Sequence, residues 1–213
     1  MGKIVLDLQL EALSKDSDVL NLLRKAYVVA RKLKLDEFEE WVNSELNGYK
    51  DGNKIPEYRK VKGEVKGWNP YHGWIPMIMK DTEIENMISE HLVSDSIPNL
   101  KNVYDSANGS NATLQFNAGM NNLLSKLSDF NTKYALMISA NQIYNIMERV
   151  RNIVLDWSIT LEENDILGEG LQFTKREKDI AVSSSTINNY TNNFYGDVRE
   201  TQIQQDTSES TQK

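Results

Sequence analysis

The chain contains no cysteine, which excludes disulfides, iron–sulfur clusters, zinc–thiolate sites and thiol nucleophiles together. Its two histidines, His72 and His91, leave little for a metal site, and none is expected. No stretch approaches the roughly 18 apolar residues that a membrane helix needs. The opening Met1-Gly2-Lys3-Ile4-Val5-Leu6-Asp7 meets an acid after three apolar residues, unlike a secretory leader. A soluble cytoplasmic protein without membrane contact is expected. An excess of positive charge is also missing: 24 Lys+Arg face 31 Asp+Glu, for a net charge of −7. No global field therefore draws the chain to nucleic acid phosphates, although a local patch stays open. A Gly-rich phosphate loop, a nucleophile elbow, paired histidines at helical spacing and the kinase motif set are all absent. No cofactor is expected. What the 213 residues do hold is 39% hydrophobic content, enough for one sizeable core.

The apolar spacing predicts an α+β fold that is mainly α. Ile4 to about Lys15 reads as a helix without Gly or Pro. Asp16-Ser17-Asp18 then offers capping oxygens to a second helix, whose stripe is Val19, Leu22, Leu23, Ala26, Ala30 and Leu33. Asp36 with Glu39 reads as the cap of a third, carrying Phe38, Trp41, Val42 and Leu46 and stopped by Asn47-Gly48. These three form a predicted antiparallel bundle over residues 3–48. From 55 to 80 the pattern turns to β, with strict alternation from Lys60 to Gly67, a turn at Trp68–Trp74, and Ile75–Met79 returning as an edge strand marked by Pro76. Short helices are predicted from Thr82 to about His91 and from Ile97 to Asn108, with a strand at Thr113–Phe116, helical turns around Leu123–Leu127, and either a strand or a helix start at Tyr134–Ile138. A long helix at about 140–163 carries Ile143, Ile146, Met147, Val150, Ile153, Val154, Trp157 and Leu161. The domain is expected to span 1–182. Residues 183–213 are a Ser-, Thr-, Asn- and Gln-rich tail, either disordered or a β-forming segment that pairs with a copy of itself.

Few residues invite a chemical reading. Glu57 with Glu64-Val65-Lys66 mimics a metal-dependent nuclease arrangement, but Glu64 and Lys66 already belong to the charged face of an amphipathic strand. His72 sits in an aromatic turn where it could act as a base, and His91 is placed at a helix end, favourable for the dipole. Glu39, Glu40 and Glu45 share a helix with Trp41; such acids mostly solvate a face. Arg149 and Arg151 flank the long helix, where they could bind an anionic ligand but are expected to pair with the acids of the third helix. Trp41 and Trp157 are expected core anchors.

Several segments together resemble one family. Leu22–Ala26 with Ala30–Leu33, Glu39–Tyr49, Ile55–Arg59, Arg149–Asn152, Leu155–Trp157 and Ile166–Gly170 with Phe173 and Glu177-Lys178 are similar to the AbiTii domain of bacterial abortive-infection proteins. The likeness is weakest between about Trp68 and Tyr134. It implies a role in defence against bacteriophage, in which an infected cell stops growing before progeny emerge. It carries over no catalytic residue, and the matched residues also have structural readings, with Arg24 and Glu45 as possible partners across the bundle. The residues singled out for ligand or partner binding are Arg149, Arg151, Glu39, Glu45, Tyr58 and Arg59. Two roles follow: a host-directed growth-arresting effector, or a non-enzymatic module that binds a phage component or signal. Self-association through 183–213 and an interaction with a phage or host factor are expected.

Overall fold

Apolar spacing and the residues at helix ends set most of the architecture. The computed structural model describes residues 2–78, 82–188 and 190–191. Its N-terminal part is α1 (Ile4–Leu13), α2 (Val19–Leu33) and α3 (Asp36–Asn47). Asp18 caps α2 by accepting from the Leu20 N–H. Asp36, read above as the cap of α3, is already its first helical residue; the cap position is Leu35, whose side chain has no oxygen to offer and is buried instead. Gly48 ends α3 at φ +88°, where its Cα lies so close to the Ser94 carbonyl that a side chain would crowd it.

The long helix α7 (Ala140–Glu163) completes the bundle, packing along α1 and against α2. Gln9 Nε2 donates to the Ser158 carbonyl at 3.3 Å and to Glu162 at 2.8 Å, which pins α1 along the length of α7. Phe38 stacks on Trp157 at 3.9 Å between ring centroids, and Trp41 tilts against Phe38 at 4.9 Å. Both tryptophans are core residues, as their positions on apolar stripes imply.

Between the bundle and α7 lie β1 (Lys60–Lys62), β2 (Glu64–Asn69), β3 (Gly73–Pro76), α4 (Thr82–Ser89), β4 (Glu90–Leu92), α5 (Ile97–Ala107), β5 (Asn111–Gln115), α6 (Ala118–Ser128) and β6 (Tyr134–Ser139). β1 and β4 form a two-stranded antiparallel ribbon; the other four form an antiparallel sheet in the order β3-β2-β6-β5. The register aligns Val65, Leu136 and Leu114 on the buried face and sets Glu64, Lys66 and Trp68 on the other. Lys60–Gly67, read as one strand, is two, broken at Gly63. A Cβ there would stand 2.3 Å from the Met137 carbonyl oxygen, so only glycine lets the chain leave one ribbon and enter the other. The helix expected to reach His91 stops at Ser89, and His91 lies in β4 opposite Val61. Tyr134–Ile138 is a central strand, and Pro76 sits on an edge strand as its missing N–H requires. Met79 and Lys80, the end of the expected β stretch, lie outside the described residues.

After α7, α8 (Lys175–Ser183) and α9 (Ser185–Asn188) return to the bundle. The start of the stretch read as a tail is packed: Ile187 and Thr191 are buried, and the Tyr190 ring stands edge-on to Phe38 at 6.0 Å. The remainder, residues 192–213, which holds most of the segment expected to be disordered or to pair with a copy of itself, lies outside the described residues.

Candidate functional site

Glu45 faces inward from the last turn of α3, and Arg59 closes a 3-10 turn at Glu57–Arg59; neither has any solvent exposure. Their pairing is bidentate: Arg59 Nε donates to one carboxylate oxygen at 3.1 Å and Nη2 to the other at 2.5 Å. Arg59 Nη1 donates to the carbonyls of Val93 at 2.9 Å and Asp95 at 2.7 Å. The Tyr49 and Tyr58 hydroxyls each donate to Glu45 Oε1 at 2.6 Å, and Trp41 Nε1 donates to the Tyr58 hydroxyl at 2.9 Å. The guanidinium also lies 4.8 Å over the Tyr49 ring. Burial, reinforced by the adjacent Glu45 charge, pushes both tyrosine hydroxyls far above their ordinary pKa. Burial alone would lower the Arg59 value, but the Glu45 carboxylate reverses this and the guanidinium stays charged. The Glu45 expectation of a solvated face, and its pairing with Arg24, are corrected: Arg24 donates to Asn21, and Glu45 is a fully buried partner of Arg59.

This cluster has its charges and hydroxyls turned on one another, so it binds α3 to the Val93–Asp95 segment rather than presenting groups to a ligand. The other singled-out residues lie elsewhere. Arg151 does not reach the acids of α3. It donates to Glu148 at 3.2 Å, to the Ser17 carbonyl at 2.9 Å and to the Ser17 hydroxyl, holding the α1–α2 loop against α7. Arg149 is exposed on the same helix. Glu39 lies 3.7 Å from Arg31, and Glu40 pairs with Lys54 at 2.7 Å.

Glu57 pairs with Lys60 at 3.5 Å and Glu64 with Lys66 at 3.0 Å, so the nuclease-like residues divide into two surface pairs. Among the described residues, no group of three or more His, Asp or Glu is placed to hold a metal ion. His72 is exposed in the hairpin turn, where its backbone N–H donates to Asn69. His91 is half-buried, edge-on to Phe116 at 5.9 Å; burial lowers its pKa, with Asp95 opposing.

Two further features were not legible as sites. Glu177 accepts from the Leu167 N–H at 3.0 Å and the Gly168 N–H at 2.8 Å with one oxygen, and from the Thr174 N–H and hydroxyl with the other. Burial would raise its pKa, but these donors prevail and hold it below the ordinary carboxylate value. The second feature is an apolar cleft of about 590 Å³ between the β2–β3 hairpin, α4 and the C-terminal end of α6. Ile75, Met77, Ile84, Leu127 and Phe130 line it, and Tyr134 closes it, its hydroxyl tied to the Phe130 carbonyl at 2.6 Å. The signal in the sequence was an apolar residue on each of several short elements, which no single periodicity collects.

Among the described residues no helix is long and apolar enough to cross a membrane. Comparison with curated proteins and with solved structures finds no match. The AbiTii family model matches residues 3–186. That span takes in the Glu45–Arg59 cluster, the Glu177 loop and the cleft between them in sequence, and the chain belongs to the AbiTii family, whose name ties it to abortive infection, a defence against bacteriophage.

Proposed function

We propose that the chain is the effector of an abortive-infection response, a host-directed protein whose action arrests the growth of an infected cell before phage progeny are released. Family membership over residues 3–186 is the observation that carries this reading. The test is growth and phage yield after induced expression of the full chain, with and without infection. Arrest that depends on infection, with loss of phage yield, is the expected result. Arrest without infection would make it an autonomous toxin, to be followed by pulse-labelling of DNA, RNA and protein synthesis. Normal growth with full phage yield would overturn the proposal.

A second reading, a non-enzymatic module that senses a phage component or signal and assembles, is favoured by one specific observation. Among the described residues, the accessible concavity at the hairpin is lined mostly by apolar side chains, with Asp129 as the single charged member. Such a lining suits contact with another macromolecule better than proton transfer. Under this reading, a charge placed in the cleft abolishes protection while leaving the fold intact, and alanine substitutions of Glu57, Glu64 and Lys66 leave protection unchanged.

A further inference from the structure

We propose that the apolar cleft between the β2–β3 hairpin and α6 is a self-association surface, occupied by a second copy of this chain. Among the described residues, most of the exposed large apolar side chains concentrate around it. Trp68, Ile75, Ile78, Leu127 and Phe130 line the cleft and are all exposed, Ile78 to 90%. Leu123 lies one turn before Leu127, Met87 one turn after Ile84, and Tyr71 projects from the hairpin tip with 91% exposure. Taking about 200 Å² for a large side chain, these eight expose on the order of 900 Å², against the roughly 800 Å² per partner of a standard interface. Isolated exposed apolar residues need no explanation, but a patch of this size does.

Shape and charge point to a copy of the same chain. The surface carries a hollow and, on its own rim, apolar side chains that stand free of the protein. A two-fold axis through such a patch seats each copy's projecting residues in the other's hollow, the self-complementarity an isologous dimer requires. Two copies each carrying a net charge of −7 repel over most of their surface. Among the described residues that line the cleft, Asp129 alone is charged, so this is a place where they approach at little electrostatic cost. Strand addition is a poor alternative. Met77 N–H donates inward to the Val65 carbonyl, so the neighbouring Pro76 faces the free edge of β3, where it has no N–H to give. The contact is one of side chains packed into the cleft.

The test is sedimentation velocity of the full chain over a wide concentration range, with Ile78→Asp, Leu123→Glu and, as a control on an exposed face of α1, Leu10→Glu. All three positions are solvent-exposed, so unfolding midpoints close to wild type are expected and confirm that the variants fold. Wild type should reach a closed dimer, twice 24.4 kDa. Ile78→Asp and Leu123→Glu should each weaken association by about tenfold or more, and Leu10→Glu should leave it unchanged. A wild type that stays monomeric throughout, a dimer that survives both cleft substitutions, or open-ended polymers in place of a dimer would each overturn the proposal. None of these outcomes depends on the defence role, which the infection experiment tests separately.

Discussion

Glu45 and Arg59 come from segments 14 residues apart and meet with no access to water. Each charge depends on the other, so the consequence of removing one is asymmetric. Arg59→Ala strands a buried carboxylate and frees the Val93 and Asp95 carbonyls; a loss of about 3–5 kcal/mol is expected in the urea unfolding free energy. Arg59→Lys keeps the charge but loses the two-pronged pairing and should recover only part of that loss. Glu45→Leu combined with Arg59→Met should cost less than the sum of the two single changes, because no charge is left unpaired. Glu177 gives a pH signature instead. Its folded pKa lies below the unfolded value, so its stabilisation is present above about pH 4.3 and lost as pH falls through the folded value. Glu177→Gln should lower the unfolding midpoint at neutral pH and flatten the acid side of the stability curve. The sequence displayed Glu45, Tyr49, Tyr58 and Arg59 as family-marking residues, but their roles depended on a contact with Val93–Asp95 that no local pattern announces.

Elements with a strong period were legible before the fold was known. α2, α3 and α7 each put an apolar residue at every third or fourth position, and the β2–β3 hairpin showed its alternation and its turn. What was not legible was where one strand ends and the next begins. Lys60–Gly67 alternates throughout because β1 and β2 each have one wet and one buried face, so the break between them is silent in hydropathy. The break was visible in one residue, Gly63, since glycine inside a strand marks a bulge or a close approach. Gly63→Ala places a Cβ 2.3 Å from the Met137 oxygen and 2.6 Å from Ile138 Cγ2. Backbone and a central-strand side chain must both move. A loss of several kcal/mol is expected in chemical unfolding, with weakened pairing of β2 to β6 visible as faster amide exchange along Glu64–Gly67. Gly52, with open space around its Cα, should accept alanine at little cost, which makes it the internal comparison.

At the scale of the whole molecule, the two ends of the described chain close one core. Gly170 N–H donates to the Gly2 carbonyl at 2.9 Å, Val5 N–H to the Leu167 carbonyl at 3.3 Å, and α8 and α9 lie back across the helices that begin the chain. Composition alone reads residues from 183 onward as a disordered or self-pairing tail outside this core, because sparse apolar residues in a polar stretch show no period. Position, not frequency, decides: Ile187 and Tyr190 land on the aromatic cluster of Phe38 and Trp157, and Thr191 reaches Glu37 at 3.4 Å. A chain ending at Ser183 should therefore unfold more easily. Ile187 alone contributes about 1.5–3 kcal/mol by burial, and the emission of Trp41 and Trp157 should shift to longer wavelength as water reaches their surroundings. A chain ending at Thr191 keeps these contacts and should be more stable than the chain ending at Ser183, with emission at shorter wavelength. The same pair separates two modes of assembly. If copies meet through the cleft, the chain ending at Thr191 retains the native mass of the full chain. If they meet through residues 192–213, that chain becomes monomeric, and the surface around Ile78 is free for another partner.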